Sequence, residues 1–342
     1  YINPSSETVQ AYEDKAYEKR AIEKTYEKEL IEETVTLDKL RVHLTVNIEG
    51  SDDLQSSLLE YCDGIGLFRT ESIYLKENGM PSEEEQYKEY ASVVDRAKDK
   101  PVVIRTLDIG GDKLIHGVHD DSFLGLRAIR FCLENLSVFK TQLRAILRAS
   151  THGSVQVMYP MISGIEELNK ANAILAEVKE SLREEDIAFD PSIKVGAMIE
   201  LPSAVTVIDL LAEKVDFFSV GTNDLIQYLL AVDRMDDRVS HLYQPTHPAV
   251  LRSLKVIFDQ ARLYDKPVSV CGEMAGDPIY TALLVGLGCD SLSVSPSRLA
   301  EVKHYIRLID RKVLENLVSE LLTMDQAESI QTRLKKYIAS LT

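Results

Sequence analysis

Two stretches decide the fold class: Val195-Gly196-Ala197-Met198-Ile199-Glu200 and, one helix-length segment later, Phe217-Phe218-Ser219-Val220-Gly221-Thr222-Asn223-Asp224. Each opens as a near-continuous apolar run and ends abruptly in polar residues. A run without polar alternation suits a strand buried on both faces of a parallel sheet, and parallel strands need a crossover between them. Working outward, the same texture recurs at Val42 to Ile48, Gly64 to Arg69, Val102 to Leu107, Val155 to Met161, Val268 to Cys271 and Leu292 to Ser295. Amphipathic segments lie between, among them Ser82 to Lys98, Leu136 to Ala149 and Ile165 to Arg183. Eight such runs, each followed by helical sequence over roughly 270 residues, match the count and size of an α/β (β/α)8 TIM barrel. An open doubly wound sheet would more often carry a Gly-rich phosphate loop after its first strand, where this chain has Asn47-Ile48-Glu49-Gly50.

The flanks read differently. Ser6 to about Thr34 is dense in Glu, Lys and Tyr without Gly or Pro, which predicts a long, mostly solvated linker helix. Arg311 to Thr342 predicts two further helices packed on the outside. The expected organisation is a linker helix over 1–36, a barrel over 37–310 and C-terminal helices over 311–342. Opening on Tyr1, the chain reads as a piece of a longer one. Its 342 residues are 45% hydrophobic and 27% charged, ordinary for a folded protein, with a net charge of −16. That charge repels phosphate backbones and anionic lipid, so neither nucleic acid nor membrane is an expected partner. Cys62, Cys132, Cys271 and Cys289 lie far apart with no C-x-x-C pair, as in a reducing compartment. Without a membrane-length apolar run or a visible signal peptide, a cytoplasmic location is expected.

In a barrel of this kind the chemistry sits at the C-terminal strand ends. Those ends carry Arg69-Thr70-Glu71, Arg105-Thr106-Leu107-Asp108 with Gly110-Gly111-Asp112-Lys113 beyond, Glu200, Gly221-Thr222-Asn223-Asp224 and Cys271-Gly272-Glu273. Arg69 and Arg105 would point into the mouth, with Arg127 close behind. Convergent guanidiniums grip phosphate or carboxylate through paired charge-assisted hydrogen bonds. The same arginines could equally serve as rim partners of Glu71, Asp108 and Asp112. Glu200 and Asp224, ending adjacent strands, suit Mg²⁺, which takes one or two carboxylates plus substrate oxygens. Cys271 is a proton donor or nucleophile if accessible, and an inert core residue otherwise. These residues point to a magnesium-dependent barrel enzyme acting on a small phosphorylated carboxylate, and leave bond cleavage, isomerisation and phosphoryl transfer open.

Gly64-Ile65-Gly66-Leu67-Phe68-Arg69-Thr70-Glu71, Arg105 to Lys113, Leu124 to Arg130, Asp216 to Leu225 and Cys271 to Asp277 together resemble the PEP-utilising enzymes. The likeness is specifically to the C-terminal, PEP-binding half of the Enzyme I family, the PEP-protein phosphotransferases of bacterial sugar phosphotransferase systems. It runs from the linker helix to near Lys303. The resemblance implies Mg²⁺ on Glu200 and Asp224, and phosphate held by Arg69, Arg105 and Arg127 with Asn223 and Asp224 nearby. It also implies Arg234 at the carboxylate end and Cys271 protonating the enolate as pyruvate leaves. The phosphoryl acceptor in such enzymes is a histidine on a separate N-terminal domain, which passes the group to the HPr carrier protein. None of the seven histidines here has its surroundings. A homodimer is implied too. Ser72, Leu126 and Met235 depart from the family's usual Phe, Trp and Gly. Pyruvate phosphate dikinase or PEP synthase shares the chemistry, a non-catalytic PEP-sensing dimerisation module shares the site, and a barrel lyase would need no protein acceptor.

Overall fold

The computed structural model describes residues 5, 8–10, 12–13, 24–54, 57–75, 80–109 and 124–341. Eight parallel strands close into a barrel in chain order. The first half runs β1 (His43–Ile48), β2 (Ile65–Phe68), α1 (Glu71–Tyr74), α2 (Glu83–Ala97), β3 (Val102–Arg105), α3 (Ala128–Glu134), α4 (Leu136–Ala149), β4 (Val155–Tyr159) and α5 (Ile165–Glu184). The second half runs β5 (Lys194–Ile199), α6 (Pro202–Thr206), α7 (Ile208–Ala212), β6 (Phe217–Val220), α8 (Thr222–Leu230), α9 (Pro248–Leu263), β7 (Val268–Val270), α10 (Pro278–Leu287), β8 (Ser291–Val294) and α11 (Leu299–Leu308). Then α12 (Arg311–Leu321) and α13 (Ala327–Ala339) follow. All eight expected strands are present, and closure comes from β8 pairing with β1, Val294 opposite Val46.

Alternation along each strand divides the core in two. One set of strand side chains, including Ile104, Val157, Ile199, Phe218 and Val220, is buried against the surrounding helices. The opposite set points into the barrel, where Leu67, Met158, Met198, Phe217 and Cys271 form a separate interior cluster. Both faces of every strand are therefore covered, which is why the runs read as continuously apolar. Helix α2 starts with a complete capping box: Ser82 accepts from the Glu85 N–H while Glu85 accepts from the Ser82 N–H.

A buried polar strut fixes the ends of β2 and β3. Gln142, on the core face of α4, accepts from the Leu107 N–H at 2.9 Å and donates to Thr70 Oγ1 at 3.1 Å and Tyr90 Oη at 3.3 Å. Thr70 Oγ1 in turn donates to the Arg105 carbonyl at 3.0 Å. The backbones carrying Arg69 and Arg105 are thus held to one helix by a fully satisfied network.

The N-terminal flank differs from its expected extent. Residues 8–10, 12–13 and 24–27 are helical and the chain turns at 28, well before Thr34; residues 14–23 lie outside the described residues. The carbonyls that a longer helix would need are taken by α11. Lys303 Nζ donates to Leu30 O at 2.7 Å and Glu32 O at 3.1 Å, and Arg307 Nη1 donates to Glu33 O at 2.9 Å. Val35 then forms an antiparallel bridge with Arg41. At the other end α12 and α13 bury Leu314, Leu317, Leu321, Ile330 and Leu334. Among the described residues no helix is long and apolar enough to cross a membrane.

Candidate active site

Four of the predicted site residues come from the C-terminal end of a strand or the turn just after it, and Arg127 and Arg234 come from the connections that follow β3 and β6, as do Asn223 and Asp224 at the start of α8. Arg69 follows β2, Arg105 ends β3, Arg127 precedes α3, Glu200 follows β5, Asn223 and Asp224 open α8, Arg234 follows α8, and Cys271 follows β7. All eight line one cavity of about 430 Å³. A wider cavity of about 850 Å³ adjoins it toward β1, β7 and β8, and the two share Glu49, Arg69, Asn223, Cys271 and Gly272. Gly110 to Lys113, expected on the same rim, lie outside the described residues.

The two readings of the arginines meet in one geometry, because they converge on the cavity while bound to carboxylates. Arg105 places Nη2 2.7 Å from Glu71 and Nη1 2.9 Å from Asp108. Arg127 reaches Asp108 at 2.9 Å and Asp224 at 3.9 Å. Arg69 reaches Glu49 at 3.3 Å, with both side chains far more exposed. Burial lowers the proton affinity of Arg105, but Glu71, Asp108 and Glu200 more than reverse it; Arg127 is held up likewise by Asp108. Burial pushes the Asp108 carboxyl up, and Arg105 and Arg127 overcome that to hold it below its usual range. Donor capacity remains: Arg105 Nε, Arg127 Nε and Arg234 Nη1 are buried with no hydrogen-bond acceptor among the described residues. Three unused guanidinium donors around one cavity suit an anion with several oxygens.

The carboxylates opposite behave differently. Glu200 is 1% exposed and accepts from the Met161 N–H at 2.6 Å. Burial, then the charges of Asp108 and Asp224, push its carboxyl up to about 8. Asp224 is pushed up for the same reasons, burial first and Asp108 next. Gly221 makes the approach possible, since a Cβ there would lie 2.7 Å from Glu200 Oε2. Two crowded acids with raised proton affinity are the donor set a divalent cation would relieve. Among the described residues no three His, Cys, Asp or Glu side chains form a metal-binding group. Glu200 and Asp224, two carboxylates lining one cavity, fit a cation that completes its shell with water and ligand oxygens, as Mg²⁺ does.

Asn223 is braced from β7: its Oδ1 accepts from the Glu273 N–H at 2.9 Å and its Nδ2 donates to Glu273 Oε1 at 3.2 Å. The Arg234 N–H donates to Gln227 Oε1 at 3.2 Å, and Nη1 lies 3.9 Å from Glu273. Cys271 is only 3% exposed, yet it lines both cavities. Burial pushes its thiol up, against the pull of a Ser219 hydrogen bond and Arg105. All four cysteines are free. Of the departures from the family pattern, Leu126 and Met235 are exposed, while Ser72 Oγ donates to the Glu49 carbonyl at 2.5 Å.

Asp108 and Gln142 complete the site beyond the predicted residues. Asp108 joins Arg105 to Arg127; in the sequence it reads only as one possible ion-pair partner. Gln142 left a visible signal, a polar residue on the apolar stripe of Phe139, Leu143 and Ile146.

Residues 23–311 match the family model described as PEP-utilising enzyme, PEP-binding domain. A phosphoenolpyruvate-protein phosphotransferase of Priestia megaterium is 44% identical over 333 residues, 96% of this chain and 58% of that protein. One of Bacillus subtilis is 42% identical over 339 residues, 98% of this chain and 60% of that protein. The chain thus spans about three fifths of the length of the curated relatives it matches. Among solved structures, a citrate lyase of Burkholderia xenovorans aligns at 15% identity and a TM-score of 0.49, over 88% of this chain and 92% of that one, too loose a likeness to bear on chemistry. With the barrel, the strand-end residues and a family match over most of its length, the chain belongs to the PEP-utilising enzymes, as their PEP-binding domain.

Proposed function

We propose that this chain binds PEP with Mg²⁺ at the barrel mouth and is the half of a PEP-protein phosphotransferase that delivers the phosphoryl group to a histidine on a separate domain, releasing pyruvate. One observation carries the reading: four arginines, two crowded carboxylates and a buried thiol meet in a single cavity. Arg69, Arg105 and Arg127 hold the phosphate, each charge-assisted hydrogen bond contributing about 1.5–3 kcal/mol. Arg234 holds the carboxylate end. Glu200 and Asp224 hold Mg²⁺, which when bound offsets charge on the phosphate and enolate oxygens. The P–O bond to the enol oxygen breaks as an acceptor imidazole nitrogen bonds to phosphorus, leaving the enolate of pyruvate. Cys271 then gives its proton to the methylene carbon, and the arginines stabilise charge that they already face in the ground state.

The adjoining cavity of about 850 Å³ leaves room for the incoming side chain. Exposed Leu75, Leu124, Leu126 and Met235 near the mouth support a homodimer contact on that face. The HPr carrier, a sugar-import role and a cytoplasmic setting go with the same reading. Incubating the chain with labelled PEP, Mg²⁺ and HPr should give no labelled carrier until an N-terminal phosphohistidine domain is added. Transfer without that domain would overturn the division of labour, and failure to bind PEP at all would overturn the site.

A further inference from the structure

Below the mouth, hydroxyls carried by β6 and β7 lie in the barrel interior beside the apolar cluster. Ser219 Oγ donates to Cys271 Sγ at 3.3 Å, and Ser269 Oγ donates to Ser219 Oγ at 3.2 Å. Both links point toward the sulfur. Ser219 is fully buried in β6, whereas Ser269, its register partner on β7 and two residues before Cys271 on that strand, is half-buried, as is Ser291 on the neighbouring β8. The chain of hydroxyls therefore leads from the buried thiol, which borders the mouth cavities, back along β7 to a half-buried hydroxyl that lines neither cavity. That direction matters because ligand and acceptor would occupy the mouth above Cys271 during turnover.

The geometry points to Ser219 and Ser269 as a proton relay that recharges Cys271 from the base of the barrel. The inference rests on the reading of Cys271 as the proton donor to the enolate. When the S–H bond breaks and the new C–H bond forms, a thiolate is left. Ser219 hands its hydroxyl proton to the sulfur, takes one from Ser269, and Ser269 takes one from a water at the barrel base; the net proton comes from solvent. The reverse path carries a methyl proton of pyruvate out. Neither serine touches substrate, so both are positioning residues that act through the thiol.

The test uses the chain as it stands, because enolisation of bound pyruvate needs no phosphoryl acceptor. Chain, Mg²⁺ and pyruvate are mixed in D₂O, and deuterium entry into the methyl group is followed by NMR, with pyruvate affinity measured alongside. The wild-type chain should exchange and Cys271→Ala should not. Ser269→Ala and Ser219→Ala should bind pyruvate normally but exchange about tenfold more slowly or worse, and Ser269→Thr, which keeps the hydroxyl, should restore the rate. Wild-type exchange by Ser269→Ala, or equal slowing by Ser269→Ala and Ser269→Thr, would overturn the relay while leaving the thiol's role intact. A wild-type chain that does not exchange, or a Cys271→Ala chain that does, would overturn the underlying assignment of the donor instead.

Discussion

Arg105 is oriented before any ligand arrives, one arm on Glu71 and the other on Asp108. Its Nε and remaining N–H groups are left to face an anion, which a lysine could not do while keeping both carboxylates. Arg105→Lys should therefore weaken PEP binding by more than tenfold, or over about 1.4 kcal/mol. Calorimetric titration with Mg²⁺ present checks this, and unchanged affinity would place Arg105 outside the binding surface. Asp108 is the hinge of the charge network, since among the described residues it alone pairs with both Arg105 and Arg127. Asp108→Asn leaves two buried guanidiniums short of a counter-charge, and breaking such a pair costs about 3–5 kcal/mol. The sign with pH is definite. A carboxyl held below its usual range in the fold contributes stability that is present above the ordinary carboxylate pKa and lost as pH falls through the depressed value. Urea unfolding at pH 7 should show the full deficit of the variant, and at acid pH the gap to wild type should close.

At the scale of elements, the mouth depends on how closely β7 meets α8. A Cβ at Gly272 would lie 1.9 Å from Thr222 Oγ1 and 2.8 Å from the Thr222 nitrogen, the first residue of the helix that carries Asn223 and Asp224. Gly272→Ala should cost about 1–3 kcal/mol by overpacking and weaken PEP binding as α8 shifts. Ser82→Ala is the control, since loss of the α2 cap costs about 1 kcal/mol but touches nothing at the mouth. If both variants lost only stability, α8 would not depend on that contact for its position. The strands and the charged strand ends were legible in the sequence because a parallel barrel buries both faces, leaving long apolar runs that stop where side chains reach the mouth. What escaped was set by distant partners. The linker helix stops early because Lys303 and Arg307, some 270 residues away, claim its carbonyls. The Gln142 strut and the Ser219–Ser269 chain each join residues on different elements, so local pattern marks them at most as polar residues in apolar company.

For the whole molecule, the crowded acids make stability, metal and pH inseparable. Glu200 and Asp224 are both pushed above their usual range, so between roughly the ordinary carboxylate pKa and pH 8 the fold holds more protons than the unfolded chain. Stability must then fall as pH rises across that window, opposite to the effect of Asp108, which acts only at the acid end. On the proposed reading Mg²⁺ would need both groups ionised, so its binding would displace protons and strengthen as pH rises. A ligand at a hundred times its Kd stabilises by about 2.7 kcal/mol, which for a chain of this size is a shift of a few degrees in Tm. Thermal melts from pH 6 to 8.5 should therefore show a Tm that declines with pH in EDTA and a Mg²⁺–PEP increment that grows over the same range. Glu200→Gln should flatten the decline, because the amide is neutral throughout, and should abolish the increment. A Tm indifferent to pH and Mg²⁺ in the wild type, or an increment that survives in Glu200→Gln, would remove Glu200 from the proposed metal site and leave its burial among carboxylates without a function.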